Sequence, residues 1–381
     1  MMIADDLLLM IPGPTNLPPE VQEALGRPAF YHRGSDFAAL IAACNDGLKK
    51  VFQTENDVLI LTSSGSGAVE AAIVNVLSPG DRVLVVEGGK FGERMGEIAA
   101  SFGADVDKFV VEAGRAADPA EVRSRLSGHK ALLFVQNETS TGVRQDADLL
   151  AAAGRDAGAL VIADTVSSMG GMSIPCDAWG LDVVASGSQK AFMLPPGLAF
   201  AMMGARAWEA NATAKMPRSY FDLKAAKKSL EKGQTPFTPN VSMIRALGVA
   251  LDLMLGEGLD NVWRRHHALA NACRAWVKAS GLDLLADEPH CSDVVTAVRS
   301  PEGTSSKDLV SRVRDNHRIL ISGGQGDLAG KIFRIGHMGC CQLDGLLRTL
   351  EATSLELQGL GFATDLAVGL DAARAAYKAG L

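Results

Sequence analysis

Two short apolar runs in this chain each end on a single ionisable residue. ALVIAD closes on Asp164, and VVASGSQK passes through small polar residues to close on Lys190. Near-continuous apolar runs of this length mark strands buried on both faces, as in parallel sheets whose two sides are covered by helices. In open sheets of that kind, residues just beyond the carboxyl ends of the strands line the ligand crevice. The pattern therefore sets an amine and a carboxylate side by side at neighbouring strand ends. An ammonium buried there loses hydration, so its pKa falls and the neutral amine can condense with an aldehyde.

The same design extends to both sides of this pair. Strand-like runs stand at DVLILT (57), RVLVVE (82), ALLFVQ (131), ALVIAD (159), LDVVAS (181) and LAFAMM (198), with helix formers at 67–77, 94–101, 119–126 and 147–157 between them. Such alternation predicts βαβ units and an α/β fold with a mainly parallel sheet. LAFAMM follows Pro195, Pro196 and Gly197 after a short link, which suits an antiparallel partner. Past residue 239 the pattern changes to amphipathic helices at 241–256 and 261–280, then strand candidates at 293–298 and 331–335. This predicts a smaller C-terminal α+β domain, giving an N-terminal segment 1–20, a large domain 21–255 and a small domain 256–381, with a hinge near 255–260. No internal repeat is visible, and the helical tail 371–379 carries no catalytic signal.

With 381 residues, 47% of them hydrophobic, the chain can bury a large core. Its net charge of −7, with acids and bases interspersed, argues against nucleic acid or an anionic membrane surface as partner. The run Leu7 to Ile11 is short, follows Asp5 and Asp6 and lacks a cleavage pattern, so it does not read as a signal peptide. No run is long enough to span a bilayer. The six cysteines, Cys44, Cys176, Cys273, Cys291, Cys340 and Cys341, lack framework spacing, which points to a reducing, cytoplasmic setting.

One amine and one carboxylate at adjacent strand ends suit pyridoxal 5'-phosphate, with lysine as Schiff-base partner and aspartate facing the pyridinium nitrogen. Upstream, LTSSGSGA (61–68) leaves a strand and opens a helix, where free amides and the helix dipole hold a phosphate. A dinucleotide fingerprint fails there, because the third glycine position is Glu70, and no Walker lysine follows. Taken singly, Lys190 would be a solvated surface group, Asp164 a helix cap and the glycine turn an ordinary turn; their joint placement favours the cofactor. Phe91 suits stacking on a flat ring, or plain core packing. Arg334, in KIFRIG, suits a bidentate clamp on a substrate carboxylate, or a surface salt bridge. HMGCC (337–341) lacks the spacing of a zinc site, so no metal is expected. His32 and Arg33 precede a helix, where they suit an active-site rim, a subunit contact, a cap or a salt bridge.

Together, PGPTNLPPEV (12), SSGSGAVEAAIVNVLSPGD (63), NETSTGV (137), ADTVSSMGG (163), SGSQKAFMLPPG (186), TPFTPNV (235) and RIGHMG (334) resemble the class V aminotransferases. These are fold-type I pyridoxal-phosphate enzymes, and the similarity is to their alanine-glyoxylate and serine-glyoxylate group. It spans nearly the whole chain and implies a large domain with a seven-stranded, mainly parallel sheet. By that resemblance Lys190 carries the cofactor, Asp164 meets its ring nitrogen, Phe91 and Val166 cover its two faces, and Thr139 reaches the ring hydroxyl. Ser64, Gly65, Ser66 and Gln189 would hold the phosphate, with Thr238 and Thr235 supplied by the neighbouring subunit of a homodimer. Arg334 would clamp the substrate carboxylate, helped by backbone near Gly13. Two positions depart from the family: Phe91 stands where relatives often carry tryptophan or tyrosine, and Thr235 where animal alanine-glyoxylate enzymes carry tyrosine.

The implied reaction is a ping-pong transfer of an amino group from alanine or serine to glyoxylate or pyruvate. Pyridoxamine-pyruvate aminotransferase, a cysteine desulfurase-like lyase and a non-catalytic scaffold are the competing readings. Gln189 stands where desulfurases carry histidine, and the apparent phosphate site argues against a cofactor-like substrate without phosphate.

Overall fold

The computed structural model describes residues 7–381, so Asp5, Asp6 and the first six residues of the 1–20 segment lie outside the described residues. Its centre is a seven-stranded sheet, ordered in space as Val58–Leu61, Ala199–Met203, Val183–Gly187, Leu160–Asp164, Ala131–Val135, Arg82–Glu87 and Asp105–Val110. Five adjacent strands, joined by four pairings, run parallel, and Ala199–Met203 runs antiparallel to both of its partners, as the short link before it requires.

Successive side chains of a strand point to opposite faces, and here both faces are buried. Leu59, Leu61, Val83, Val85, Leu133 and Ile162 pack on the side that holds helices Gly65–Val74 and Lys90–Ser101. Val58, Ile60, Leu84, Val86, Leu132, Phe134 and Val161 pack on the other, against Ser35–Phe52, Ala147–Asp156 and Val241–Glu257. This double burial is why the strands read as unbroken apolar runs.

The strand Asp105–Val110 breaks the pattern, and the apolar reading passes over it. It is an edge, paired only with Arg82–Glu87, and half of its residues are exposed. Charge holds it there: Lys108 pairs with Glu87 at 3.0 Å and Arg82 lies 3.6 Å from Asp105. Polar edges of this kind discourage strand addition by other chains.

Beyond Gly258, whose φ of +86° separates two helices, Leu259–Ala279 begins a second arrangement. A three-stranded antiparallel sheet, ordered Val295–Arg299, Ile332–Gly336, Ser322–Gly323, packs with Leu259–Ala279, Ser306–His317 and Leu343–Gly359 around Trp276, Phe333 and Leu350. The N-terminal segment joins this second arrangement. Leu8–Leu9 pairs in parallel with Ile319–Leu320, and Met10 enters the same core. No helix among the described residues is long and apolar enough to cross a membrane.

Candidate active site

Strands Leu160–Asp164 and Val183–Gly187 lie side by side with Asp164 opposite Ala185, so their carboxyl ends open onto one cavity of about 190 Å³. Asp164 and Lys190 both line it, together with Ser64, Gly65, Ser66, Phe91, Val166 and Gln189. Asp164 is 6% exposed and Lys190 8%. Burial lowers the Lys190 ammonium from 10.5 to about 8; the Asp164 carboxylate opposes that fall, and Arg334 adds to it. Burial also lifts Asp164 from 3.8 to about 6, against the amide of Val166, which donates to its Oδ1 at 2.8 Å. The lysine therefore has a neutral fraction near pH 8 that can attack a carbonyl.

The glycine turn delivers free donors to the same cavity. Ser64 is the N-cap of Gly65–Val74 yet makes no side-chain cap bond, and among the described residues nothing accepts from the Gly65 and Ser66 amides. Gly65 must lack a side chain, since a Cβ would stand 2.7 Å from the Val166 side chain. Gln189 Oε1 is buried with no hydrogen-bond partner. A helix N-terminus with open amides and two hydroxyls fits the phosphate of pyridoxal 5'-phosphate, and the Gln189 side chain lines the same cavity. The flanking carboxylate and amine fit its ring.

Phe91 occupies the first turn of Lys90–Ser101, a helix whose N-cap Gly89 offers no side chain to its free amides. Glu138 does so from a distant hairpin. Its Oε2 accepts from Phe91 N at 2.9 Å and Gly92 N at 3.1 Å, while Oε1 accepts from Ser140 N and Oγ. A buried carboxylate at a helix N-terminus satisfies orphan donors and the dipole together. Glu138 thus locks the position of Phe91; the motif NETSTGV contains it, but no spacing rule singles it out.

Arg334 is 4% exposed, which excludes the surface salt bridge. Its Nη1 donates to Thr139 O at 2.9 Å, while Nε and Nη2 donate to Gly323 O at 2.9 and 2.7 Å. Burial lowers its pKa to about 10, with Glu138 opposing, so it stays cationic at neutral pH. Only carbonyls take these bonds, which leaves its charge available to an incoming carboxylate. Thr139 does not line the 190 Å³ cavity; its carbonyl orients Arg334. Gly13, at φ +109°, backs onto Lys190, whose Nζ donates to Pro12 O; a Cβ there would lie 2.6 Å from Lys190 Cδ. Thr15 Oγ1 also donates to Lys190 O at 3.0 Å.

The remaining candidates lie apart from the cavity. Thr235 and Thr238 line a separate crevice beside Leu61 and Thr62, where Thr235 Oγ1 donates to Phe237 O at 2.7 Å. Arg33 donates to Gln234 Oε1 and Thr235 O, and the helix it precedes has Gly34 as an N-cap without a side-chain bond. His337 Nε2 meets Thr296 Oγ1 at 2.9 Å, and burial lowers its pKa to about 3. Cys340 donates to Asn16 O, Cys341 is buried against Met10, and the loop is held by Arg265, which donates to Gly339 O and Cys341 O. His266 receives the Gly339 amide at Nε2.

A family model described as aminotransferase class-V matches residues 9–336. The chain is 42% identical over 364 residues to a Synechococcus protein named soluble hydrogenase, small subunit, covering 94% of each. It is 38% identical to the L-aspartate–glyoxylate aminotransferase of Paracoccus denitrificans, covering 97% of this chain and 96% of the relative. Among solved structures, pyridoxamine-pyruvate aminotransferase from Mesorhizobium loti superposes with a TM-score of 0.95 at 32% identity, covering 99% and 98%.

Proposed function

The chain belongs to the class V aminotransferases, and on that premise we propose that it transfers an amino group between a small amino acid and a 2-oxo acid, with pyridoxal 5'-phosphate bound at Lys190. The observation that carries this reading is the convergence of Asp164, Lys190 and the open turn Ser64 to Ser66 on one cavity, with Arg334 near Lys190. Alanine or serine as donor, and glyoxylate or pyruvate as acceptor, are the substrates proposed.

When bound, the cofactor supplies an electron sink and carries the amino group between the two half-reactions. The protein supplies position and protons. Asp164 holds the proton on the pyridine nitrogen by facing it with a carboxylate. Lys190, once displaced, is the base that takes the substrate Cα proton, a role suited to an amine poised near pH 8. Arg334 grips the α-carboxylate in both half-reactions, so that the bond to be broken keeps one orientation. Phe91 and Val166, which line the same cavity, would confine the ring. Ser64, Gly65, Ser66 and Gln189 hold the phosphate, and Thr235 and Thr238 serve the neighbouring subunit of a homodimer.

The resemblance to pyridoxamine-pyruvate aminotransferase keeps a second reading in view, in which the pyridine compound is the substrate. The open amides and hydroxyls of the Ser64 to Ser66 turn weigh against it, because they would face an unphosphorylated ring with unmet donors. The test is a half-reaction screen. The purified protein is expected to be yellow, and alanine or serine to bleach the cofactor absorbance while a 2-oxo acid restores it. Borohydride treatment followed by peptide mapping should label Lys190; an unlabelled Lys190 sinks the assignment.

A further inference from the structure

We propose that Arg94 is the cationic counter-charge of the phosphate held at this site, an inference that rests on the cofactor reading above. Arg94 lines the same cavity as Ser64, Ser66 and Gln189. Among the described residues its guanidinium makes no hydrogen bond and no ion pair; its recorded neighbour is the Phe91 ring, with Cζ 5.2 Å from the centroid. Phe91 and Arg94 are three residues apart on one helix, so Lys90–Ser101 presents ring and cation from one face.

Charge accounts for the need. Every other group at the glycine turn is neutral: two hydroxyls, two backbone amides and the Gln189 amide. The helix dipole adds about half a charge, which leaves a dianion largely uncompensated. Of the other cations, Lys190 lines the cavity but is engaged at the cofactor's ring under the reading above, and Arg334 does not line the cavity; Arg94 lines it and bears on Asp164. Thr235 cannot add a donor from its own hydroxyl without giving up Phe237 O. A guanidinium presents paired N–H groups that match phosphate oxygens, and stacking on Phe91 limits the conformations it must lose on binding.

The discriminating measurement is a ratio. Apoprotein is titrated with pyridoxal 5'-phosphate and with pyridoxal, following tryptophan fluorescence or heat, in the wild type, Arg94→Gln and Arg94→Lys. We expect Arg94→Gln to lower the preference for the phosphorylated compound by about tenfold, the scale of one charge-assisted bond at an exposed group. Arg94→Lys should retain most of that preference, and inorganic phosphate should compete less well in the Gln variant. Matching melting temperatures of the apoproteins verify that the variants fold. If both compounds weaken in parallel, Arg94 acts only through Phe91 and the proposal is overturned; an unchanged ratio with unchanged affinities overturns it too. A wild type that binds neither compound overturns this proposal together with the cofactor reading, an outcome distinct from either of those.

Discussion

The two ends of the proposed site are built by different means. At one end, Asp164, Lys190 and the Ser64 to Ser66 turn stand where single strands run out, so each is placed by a few residues of its own βα unit. At the other, Arg334 is held by carbonyls of Gly323 and Thr139, and Lys190 is backed by Pro12 and Gly13, residues from four separate stretches of chain. The first end depends on the sheet, whose strands are buried on both faces. The second depends on how the Ile332–Gly336 strand, the 137–144 hairpin and the N-terminal segment dock together. Damage at the first end should strike chemistry, and damage at the second should strike binding and order.

The largest effect tests the strand-end group. Lys190→Ala is expected to reduce turnover by roughly 10⁴-fold or more, with loss of the borohydride-trapped adduct. Full turnover in that variant would dissolve the distinction between the two ends altogether. Asp164→Asn should lower kcat by about 10²–10³-fold, as loss of a preorganised charge does.

The same Asp164 variant sharpens the comparison through stability. The folded pKa of Asp164 is raised, from 3.8 to about 6, so the native apoprotein holds this proton more tightly than the unfolded chain. The contribution to stability therefore falls as pH rises from about 4 to about 6, and the cost persists above it. Asp164→Asn apoprotein should then be more stable than wild type at pH 7, by about 1–3 kcal/mol in denaturant unfolding. A less stable variant would mean that the carboxylate is a structural asset and not a functional burden.

At the assembled end, Arg334→Ala should raise KM for both amino and oxo acids by about 10²-fold while cofactor affinity changes little. A change confined to thermal stability would make Arg334 a tie between loops. Glu138→Ala removes the acceptor for two helix amides and should cost about 2 kcal/mol of stability; it should also weaken cofactor binding by loosening Phe91. The smallest effect is the pH dependence of Lys190. Its pKa is lowered from 10.5 to about 8, so the rate at which apoprotein condenses with pyridoxal should rise through about pH 8 and level off above it. A rise delayed to near pH 10 would show a solvated lysine.

The strand-end residues were legible because their context is local. ALVIAD and VVASGSQK each announce a buried strand; the first ends on Asp164 itself, and the second ends at Gly187 with Lys190 three residues beyond in the turn. Arg334 reads as a clamp from a similar context, but its burial and its two carbonyl partners are not readable there, since the partners lie 11 and 195 residues away. Glu138 is not legible in the sequence, because a carboxylate that caps a helix 46 residues distant leaves no spacing signal near that helix. The edge strand Asp105–Val110 is hidden for a different reason. Half in water and held by charge pairs, it carries no apolar run to betray it.

By itself the sequence determined the six apolar strands of the sheet, their alternation with helices, and the chemical identity of the pair near its carboxyl end. These follow from short-range periodicity and from the cost of burying an amine or a carboxylate without purpose. Tertiary structure alone decided that the N-terminal segment packs with the C-terminal core, that Glu138 accepts from the Phe91 amide, and that Arg334 is buried near Lys190 with only carbonyls on its guanidinium. Those outcomes depend on which distant carbonyls and amides meet, and a hydrogen bond between remote residues is specified by the packing of whole elements and not by any local pattern.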